Sequence, residues 1–428
     1  MALATSLPSL EVSDPAPVLR VSPTLAVGAD LEARRRRGER VLPMGFGEAG
    51  LPVLPSLRAR LADAAACNSY GPVAGHEALR AAAAGYWCRR GLHTDPSMVV
   101  AGPGSKALLF GLLLGLDGEV AIPRPSWVSY AAQSWLTGRP PVYIDTCPGT
   151  GGVPDPGGLS AAVKCARAAG RRIAAVIVTL PDNPTGTLAR PGTIRELCEV
   201  ARKHDLLIIS DEIYRDLVFE PGFVSPAALA PEHTVVTTGL SKNLALGGWR
   251  LGVARLPSAQ VRDGLLAIGS EIWSAASAPV QSAAELAFSE GTDIVNRVRR
   301  SRRLHACVAR EVASRLAAAG LEVAPPAGGF YVYPDFRAFR DLLLRRYGVE
   351  SGQDLADLLL RRYGIGALPG SAFGEPASAL RLRMATSRLY GDDAVRQEAA
   401  LAADDPLRLD WIAASLDWLS DSLGDLVG

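Results

Sequence analysis

Five polar side chains stand just after apolar runs in the middle of this 428-residue chain. They are Asn183 in "TLPDNPTG", Asp211 and Tyr214 in "IISDEIY", Lys242 in "TTGLSKN" and Arg250 in "GGWRLG". Lys242 sits among small and apolar residues, which strip water from its ammonium. Desolvation lowers a lysine's pKa and makes it a nucleophile or a Schiff-base former. Together the five suit a pyridine aldehyde that carries a phosphate. The ring nitrogen of such a molecule needs a carboxylate, its ring oxygen needs hydrogen-bond donors, the aldehyde needs a lysine, and the phosphate needs an arginine and backbone N–H groups. Taken singly, each residue has a plainer reading. Lys242 would be a solvated loop lysine, Asp211 a helix N-cap, and Asn183-Pro184 a turn.

Two upstream segments add to the set. "AGPGSKALLFGLL" is a Gly-rich turn leading into a helix, and the N–H groups near Gly104, Ser105 and Lys106 point an anion site at the helix N-terminus. The GxxxxGK[ST] spacing of a P-loop is absent. "PRPSWVSY" places Trp127 where its ring can stack on another aromatic ring, with a core tryptophan as the plainer alternative.

Seven apolar runs deliver these residues: 97–102, 119–123, 140–145, 173–181, 206–212, 234–239 and 251–256. Helical patterns such as "LSAAVKCARAAG" and "RELCEVARKHD" separate them. Near-continuous apolar strands alternating with helices predict a mostly parallel seven-stranded sheet covered by helices on both faces. Ligands of such sheets bind beyond the carboxyl ends of the strands. After about residue 290 the texture changes to a long helix, short strands in "LEVAPPAGGFYVYPDF" and a closing helix near "DWIAASLDWLSDSL", a smaller α+β domain. The expected division is an N-terminal arm and part of the small domain over 1–55, a large α/β domain over 56–290, and the small domain over 291–428. Residues 1–28 read as an extended arm, followed by a helix in "DLEARRRRGER" with Asp30 as N-cap and Gly38 as stop. "DLLLRRYG" occurs at 341–348 and 357–364, two amphipathic helices each ending at its glycine.

A net charge of +1 excludes a global field for nucleic acid, and the run Arg34–Arg37 reads as a solvated helix face. Six cysteines without a CxxC pair predict reduced thiols and no metal site. The start lacks a basic and apolar leader, and no apolar stretch is long enough to span a bilayer, so a cytoplasmic protein is expected.

In order along residues 40–390, "YGPVAGHEALR", "GPGSKALL", "PSWVSY", "DNPTG", "SDEIY", "SKN…GGWRLG", "PPAGGFYVYPDF", "LPGSAFG" and "LRLRMATS" resemble the class I/II aminotransferases, pyridoxal-phosphate enzymes of the aspartate aminotransferase fold. The resemblance implies that Lys242 carries the cofactor as a Schiff base and acts as general base and acid. Asp211 would pair with the pyridine nitrogen, and Asn183 and Tyr214 would bond the ring oxygen. Trp127 would stack on the ring. Arg250, Gly104, Ser105 and Lys106 would surround the phosphate. Tyr70 would reach the cofactor of a partner subunit, which implies a homodimer with shared sites. Arg381 would clamp the substrate α-carboxylate; Arg383 shares its face of a strand, and the motif alignment favours Arg381. Gly47, Asn183 and Trp127 would border the substrate. The implied reaction moves an amino group from an L-amino acid to a 2-oxo acid by a ping-pong route.

The chain departs from the family at "GEAG" (47–50), where "GEPD" is frequent, and at Gly239, where some members have Ser three residues before the lysine. β-Elimination, an oxidase or cyclase reaction, or decarboxylation would use the same cradle. "GFGEAG" satisfies the dinucleotide-binding spacing, but two prolines follow where its helix should begin. A non-catalytic regulator would need an added DNA-binding module or a lost lysine; Lys242 is in place, and the N-terminal arm reads as too short and Pro-rich for a winged helix. "EIWSAASAP" (271–279) is expected to line the site near the subunit interface, with Trp273 pointing to a neutral or aromatic substrate.

Overall fold

The computed structural model describes residues 23–428. The expected arm thus lies largely outside the described residues, and its last part is not extended, because Pro23–Arg36 is a helix. Proline can open a helix since its missing N–H is one the first turn leaves unused. Asp30 therefore sits inside the helix and does not cap it; its carboxylate accepts from Arg34 Nε at 3.3 Å, one turn on. Gly38 follows the helix end in a left-handed conformation (φ 78°). Arg34, Arg36 and Arg37 pair with Asp30, Glu32 and Glu39, so this basic run is answered locally.

A two-residue strand β1 (Leu42–Pro43) comes next. The seven apolar runs then form β2 (Val99–Gly102), β3 (Glu119–Arg124), β4 (Val142–Asp145), β5 (Ile173–Thr179), β6 (Leu207–Asp211), β7 (Thr234–Gly239) and β8 (Gly252–Arg255). They make one sheet in the order β2-β8-β7-β6-β5-β3-β4, parallel except for β8, which runs antiparallel to both neighbours. All seven residues of β5 are buried, because the sheet is covered on both faces. Val176 and Val178 pack with Leu159 and Val163 of helix Pro156–Ala168 and with Ile194 and Leu197 of helix Pro191–His204. Ala175 and Ile177 pack on the other face with Leu108 and Leu112 of helix Ser105–Leu114, and with Tyr130 and Leu265. Side chains of a strand alternate between faces, so a strand covered twice reads as an unbroken apolar run. Each fully buried Val or Ile contributes roughly 1.5–3 kcal/mol.

From β3 the chain steps outward to β4, then crosses back to β5 on the other side of β3 and proceeds to β6 and β7. The reversal opens a crevice beyond the carboxyl ends of β3 and β5, where open α/β sheets bind ligands.

The C-terminal part begins with helix Thr292–Ala318. Strands β9 (Tyr331–Val332), β10 (Ile365–Gly366), β11 (Leu368–Pro369) and β12 (Leu382–Ala385) follow. β11, β12 and β9 form an antiparallel sheet in that order, and β1 pairs in parallel with β10. Leu42, Met44 and Leu51 accordingly share a core with Leu304, Val308, Leu416 and Leu419, which joins the N-terminal segment to the C-terminal part. The doubled "DLLLRRYG" forms helices Arg340–Tyr347 and Gly352–Tyr363, stopped by left-handed Gly348 and Gly364.

Candidate active site

The β3/β5 crevice widens into a cavity of about 580 Å³. Ser105, Lys106, Trp127, Asn183, Asp211, Tyr214, Lys242, Arg250 and Gly47 all line it. Gly104 stands behind them as the residue before helix Ser105–Leu114. Its φ of 87° is left-handed, and a Cβ there would strike the guanidinium of Arg250, so glycine is required.

Asp211 ends β6 and is buried. Its Oδ2 accepts from Tyr130 Oη at 2.8 Å, and that hydroxyl also lies 2.8 Å from Thr179 Oγ1. Burial pushes the Asp211 carboxyl up to about 6, against the pull of these donors. The N-cap alternative fails: the next short helix, Arg215–Leu217, begins after Tyr214. Lys242 follows β7 and donates to the carbonyl of Gly47 at 2.6 Å. Burial, and then the charge of Arg383, bring its ammonium down to about 8. Tyr214 is buried, and its hydroxyl lies 2.7 Å from that of Tyr331. Trp127 faces the cavity edge-on to Tyr130, the ring centroids 5.3 Å apart. The Lys106 ammonium stands 5.1 Å from the centroid of the Trp127 ring, and burial and nearby Arg250 lower its pKa. Arg250 adopts φ 54° and donates to the carbonyls of Gly247 and Pro103.

Of the two candidate arginines, the structure brings Arg383 to the cavity and not Arg381. Arg381 lies outside it, held by Asp335 at 2.7 Å and Glu375 at 2.6 Å. Arg383 lies two residues further along the chain, within β12, and is buried. Two residues of strand advance about 6.6 Å, enough to move from the ion-paired rim to the cavity wall. Arg383 donates to Asn183 Oδ1 at 3.3 Å and to the carbonyl of Gly45 at 2.5 Å. Its Nε has no partner, and among the described residues no carboxylate pairs with it. A buried guanidinium without a carboxylate is costly, so its geometry calls for an anion.

Two further expected residues stand outside this chain's own cavity. Trp273 does not line the cavity; its ring packs against Gly111 and Gly269, where helix glycines leave room for it. Within this chain, Trp273 gives no support to a neutral or aromatic substrate. Tyr70 is 93% exposed and stands away from this chain's own cavity. Sequence reasoning assigned nothing to Tyr130, Thr179, Tyr331, Phe46, Glu48 and Ser241, which also line the site. Tyr130 could have been found one helical turn after Trp127, and Tyr331 lay inside a quoted motif.

The model of the family "Aminotransferase class I and II" matches residues 41–395.

The chain belongs to that family.

It is 32% identical over 361 residues to an aspartate/prephenate aminotransferase of Thermus thermophilus, covering 79% of this chain and 90% of that one. It is 31% identical over 383 residues to an aspartate aminotransferase of Geobacillus stearothermophilus, covering 86% and 93%. Its fold matches the solved aspartate aminotransferase of Thermus thermophilus with maleate at a TM-score of 0.82 and 26% identity, over 96% of this chain and 99% of that one. The protein is therefore a pyridoxal-phosphate-dependent transaminase, an enzyme that moves an amino group between an amino acid and a 2-oxo acid. The cavity fits the cofactor chemically. It holds a desolvated lysine, a buried carboxylate, a helix N-terminus beside an arginine, and a buried guanidinium awaiting an anion.

Proposed function

We propose that this cavity is the transaminase's catalytic site, with Lys242 as the reacting amine and Arg383, in place of Arg381, as the holder of the substrate α-carboxylate. The observation that carries the reading is Lys242, an ammonium brought down to about 8 in the same cavity as a buried Asp211. A pKa near the working pH is what an amine needs to both accept and return a proton. When bound, pyridoxal phosphate supplies an aldehyde that takes up the amino group and a ring that draws off charge left at the substrate's Cα.

The chain's own residues do the rest. Arg383 and Asn183 hold the carboxylate and fix which face of Cα meets Lys242. Lys242 Nζ, as the amine nearest the substrate, would take the Cα proton and serve as the acid that returns it. Asp211 presents its carboxylate to the ring nitrogen, while Tyr130 and Thr237 keep that carboxylate oriented. With the cofactor bound, Tyr214 and Asn183 would bond its ring oxygen, and Trp127 would stack on its ring. Ser105, Arg250 and the first N–H groups of helix Ser105–Leu114 receive the phosphate. Tyr70 is supplied to the partner subunit of a homodimer. The chain divides near residues 55 and 290 as the sequence suggests, and it works in the cytoplasm.

The relatives are named for aspartate and prephenate, both dicarboxylates. Lys106 lines the cavity and has no ion-pair partner among the described residues, so a second carboxylate has a cation to meet. The deciding test is the absorbance spectrum of the purified protein with a panel of amino acids, aspartate first. Borohydride should fix a visible band at Lys242, and the band should fade with the true amino donor. Lys242→Ala should lose turnover by roughly 10²–10⁴-fold. Wild-type-like transfer by that variant would sink the assignment.

A further inference from the structure

Tyr331 enters the site from β9 and touches three working parts at once. Its hydroxyl lies 2.7 Å from the Tyr214 hydroxyl, and the two rings meet edge to face with centroids 5.6 Å apart. The Arg383 guanidinium lies 4.9 Å from the centroid of the Tyr331 ring. Gly47, whose carbonyl accepts from Lys242, packs so closely on the Tyr331 hydroxyl that a Cβ would overlap it.

The direction of the Tyr214–Tyr331 hydrogen bond follows from what surrounds it. Burial raises the pKa of both phenols, so both are neutral and each carries one proton. Among the described residues neither hydroxyl has another hydrogen-bond partner. On the catalytic reading, Tyr214 is the one with a second acceptor to meet, the cofactor's ring oxygen. Both protons are used only if Tyr331 donates to Tyr214 and Tyr214 donates onward. A hydroxyl that accepts one hydrogen bond donates a stronger one.

We infer that Tyr331 is a positioning residue: its hydroxyl fixes Tyr214 as a donor to the cofactor's ring oxygen, while its ring forms the platform under Arg383. The inference rests on the catalytic reading of the cavity. It assigns separate duties to the two halves of one side chain, and the two can be separated by substitution.

Donation to the ring oxygen stabilises negative charge there, and that charge in turn favours a protonated lysine–cofactor nitrogen. Weaker donation leaves the charge more concentrated on the oxygen. The nitrogen then keeps its proton to higher pH. In Tyr331→Phe, a pH titration of the visible band should therefore move its midpoint upward by about 0.5 unit or more. The ring remains, so KM for the amino donor should stay within about twofold while kcat falls several-fold. Tyr331→Leu removes the platform as well and should also raise KM. Tyr214→Phe should raise the midpoint further, and Tyr331→Phe added to it should cause no additional shift, since its effect passes through Tyr214.

An unmoved midpoint in Tyr331→Phe would overturn the inference, as would a shift that adds in full to that of Tyr214→Phe. Either result would leave the catalytic reading standing if borohydride still fixes the band at Lys242. No band in the wild-type protein would overturn both.

Discussion

Arg383 and Arg381 differ by two positions and by everything around them. Arg381 spends its charge on Asp335 and Glu375 at the rim, and Asp335 is also held by Arg337. Arg383 is buried with only a carbonyl and an amide oxygen for partners. A hydrogen bond to a charged group is worth about 1.5–3 kcal/mol. Arg383→Lys, which loses the planar fork, should thus raise KM for the amino donor by roughly 10–150-fold. Arg381→Gln should lower the thermal unfolding midpoint and leave KM within about twofold. Steady-state kinetics and thermal melts on both variants check this. A larger KM effect at 381 than at 383 would return the carboxylate to Arg381. Nothing in "LRLRMATS" by itself distinguishes the two, since both stand on one face of a strand. The difference comes from Glu375 and Asp335, which lie 6 and 46 positions away in the chain.

At the scale of elements, the cradle proposed for the phosphate depends on glycines that bear no chemistry. Gly239 at the end of β7 faces Gly252 at the start of β8. A Cβ on Gly239 would lie 2.7 Å from the Leu251 carbonyl, so the serine some family members carry there would need the backbone to shift. Ser241 reaches the cavity instead. A Cβ on Gly252 would overlap the Ser105 N–H and lie 2.9 Å from Ser105 Cα. The obstacle is backbone, so relief requires moving the first turn of helix Ser105–Leu114. Such overpacking costs roughly 1–3 kcal/mol. Gly252→Ala should weaken pyridoxal-phosphate binding by about tenfold or more, read by cofactor titration of the visible band. Undiminished affinity would mean that this helix end does not hold the phosphate. The "GEAG" departure has a similar cause. Gly50 takes φ 62°, and a Cβ there would overlap the Ser387 carbonyl, so an aspartate would fit only with strain.

At the scale of the molecule, the reading needs a second copy. Tyr70 is 93% exposed in the single chain, an unusual place for a residue expected to serve a cofactor, and a natural one if the cofactor belongs to the neighbour. Complementation tests this. Tyr70→Ala and Lys242→Ala dimers, each impaired, should regain activity when dissociated and reassembled together. Random pairing gives half hybrids, each with one intact site, so about a quarter of wild-type activity should return. No recovery would place Tyr70's role within its own subunit or remove it from the site.

The sequence by itself determined the sheet, its parallel character and the residues delivered at its strand ends. These properties are local: a strand buried on both faces must be apolar throughout, and a polar residue after it must lie at the sheet's edge. Lys242, Asp211, Tyr214, Asn183 and Ser105 were legible for that reason. Tertiary structure alone decided which arginine faces the cavity, where Trp273 packs, and that Tyr331 joins Tyr214, because each depends on neighbours brought in from distant parts of the chain. The helix at Pro23–Arg36 shows the same limit at short range: Asp30 can cap a helix or sit within one, and only the backbone around it makes the choice.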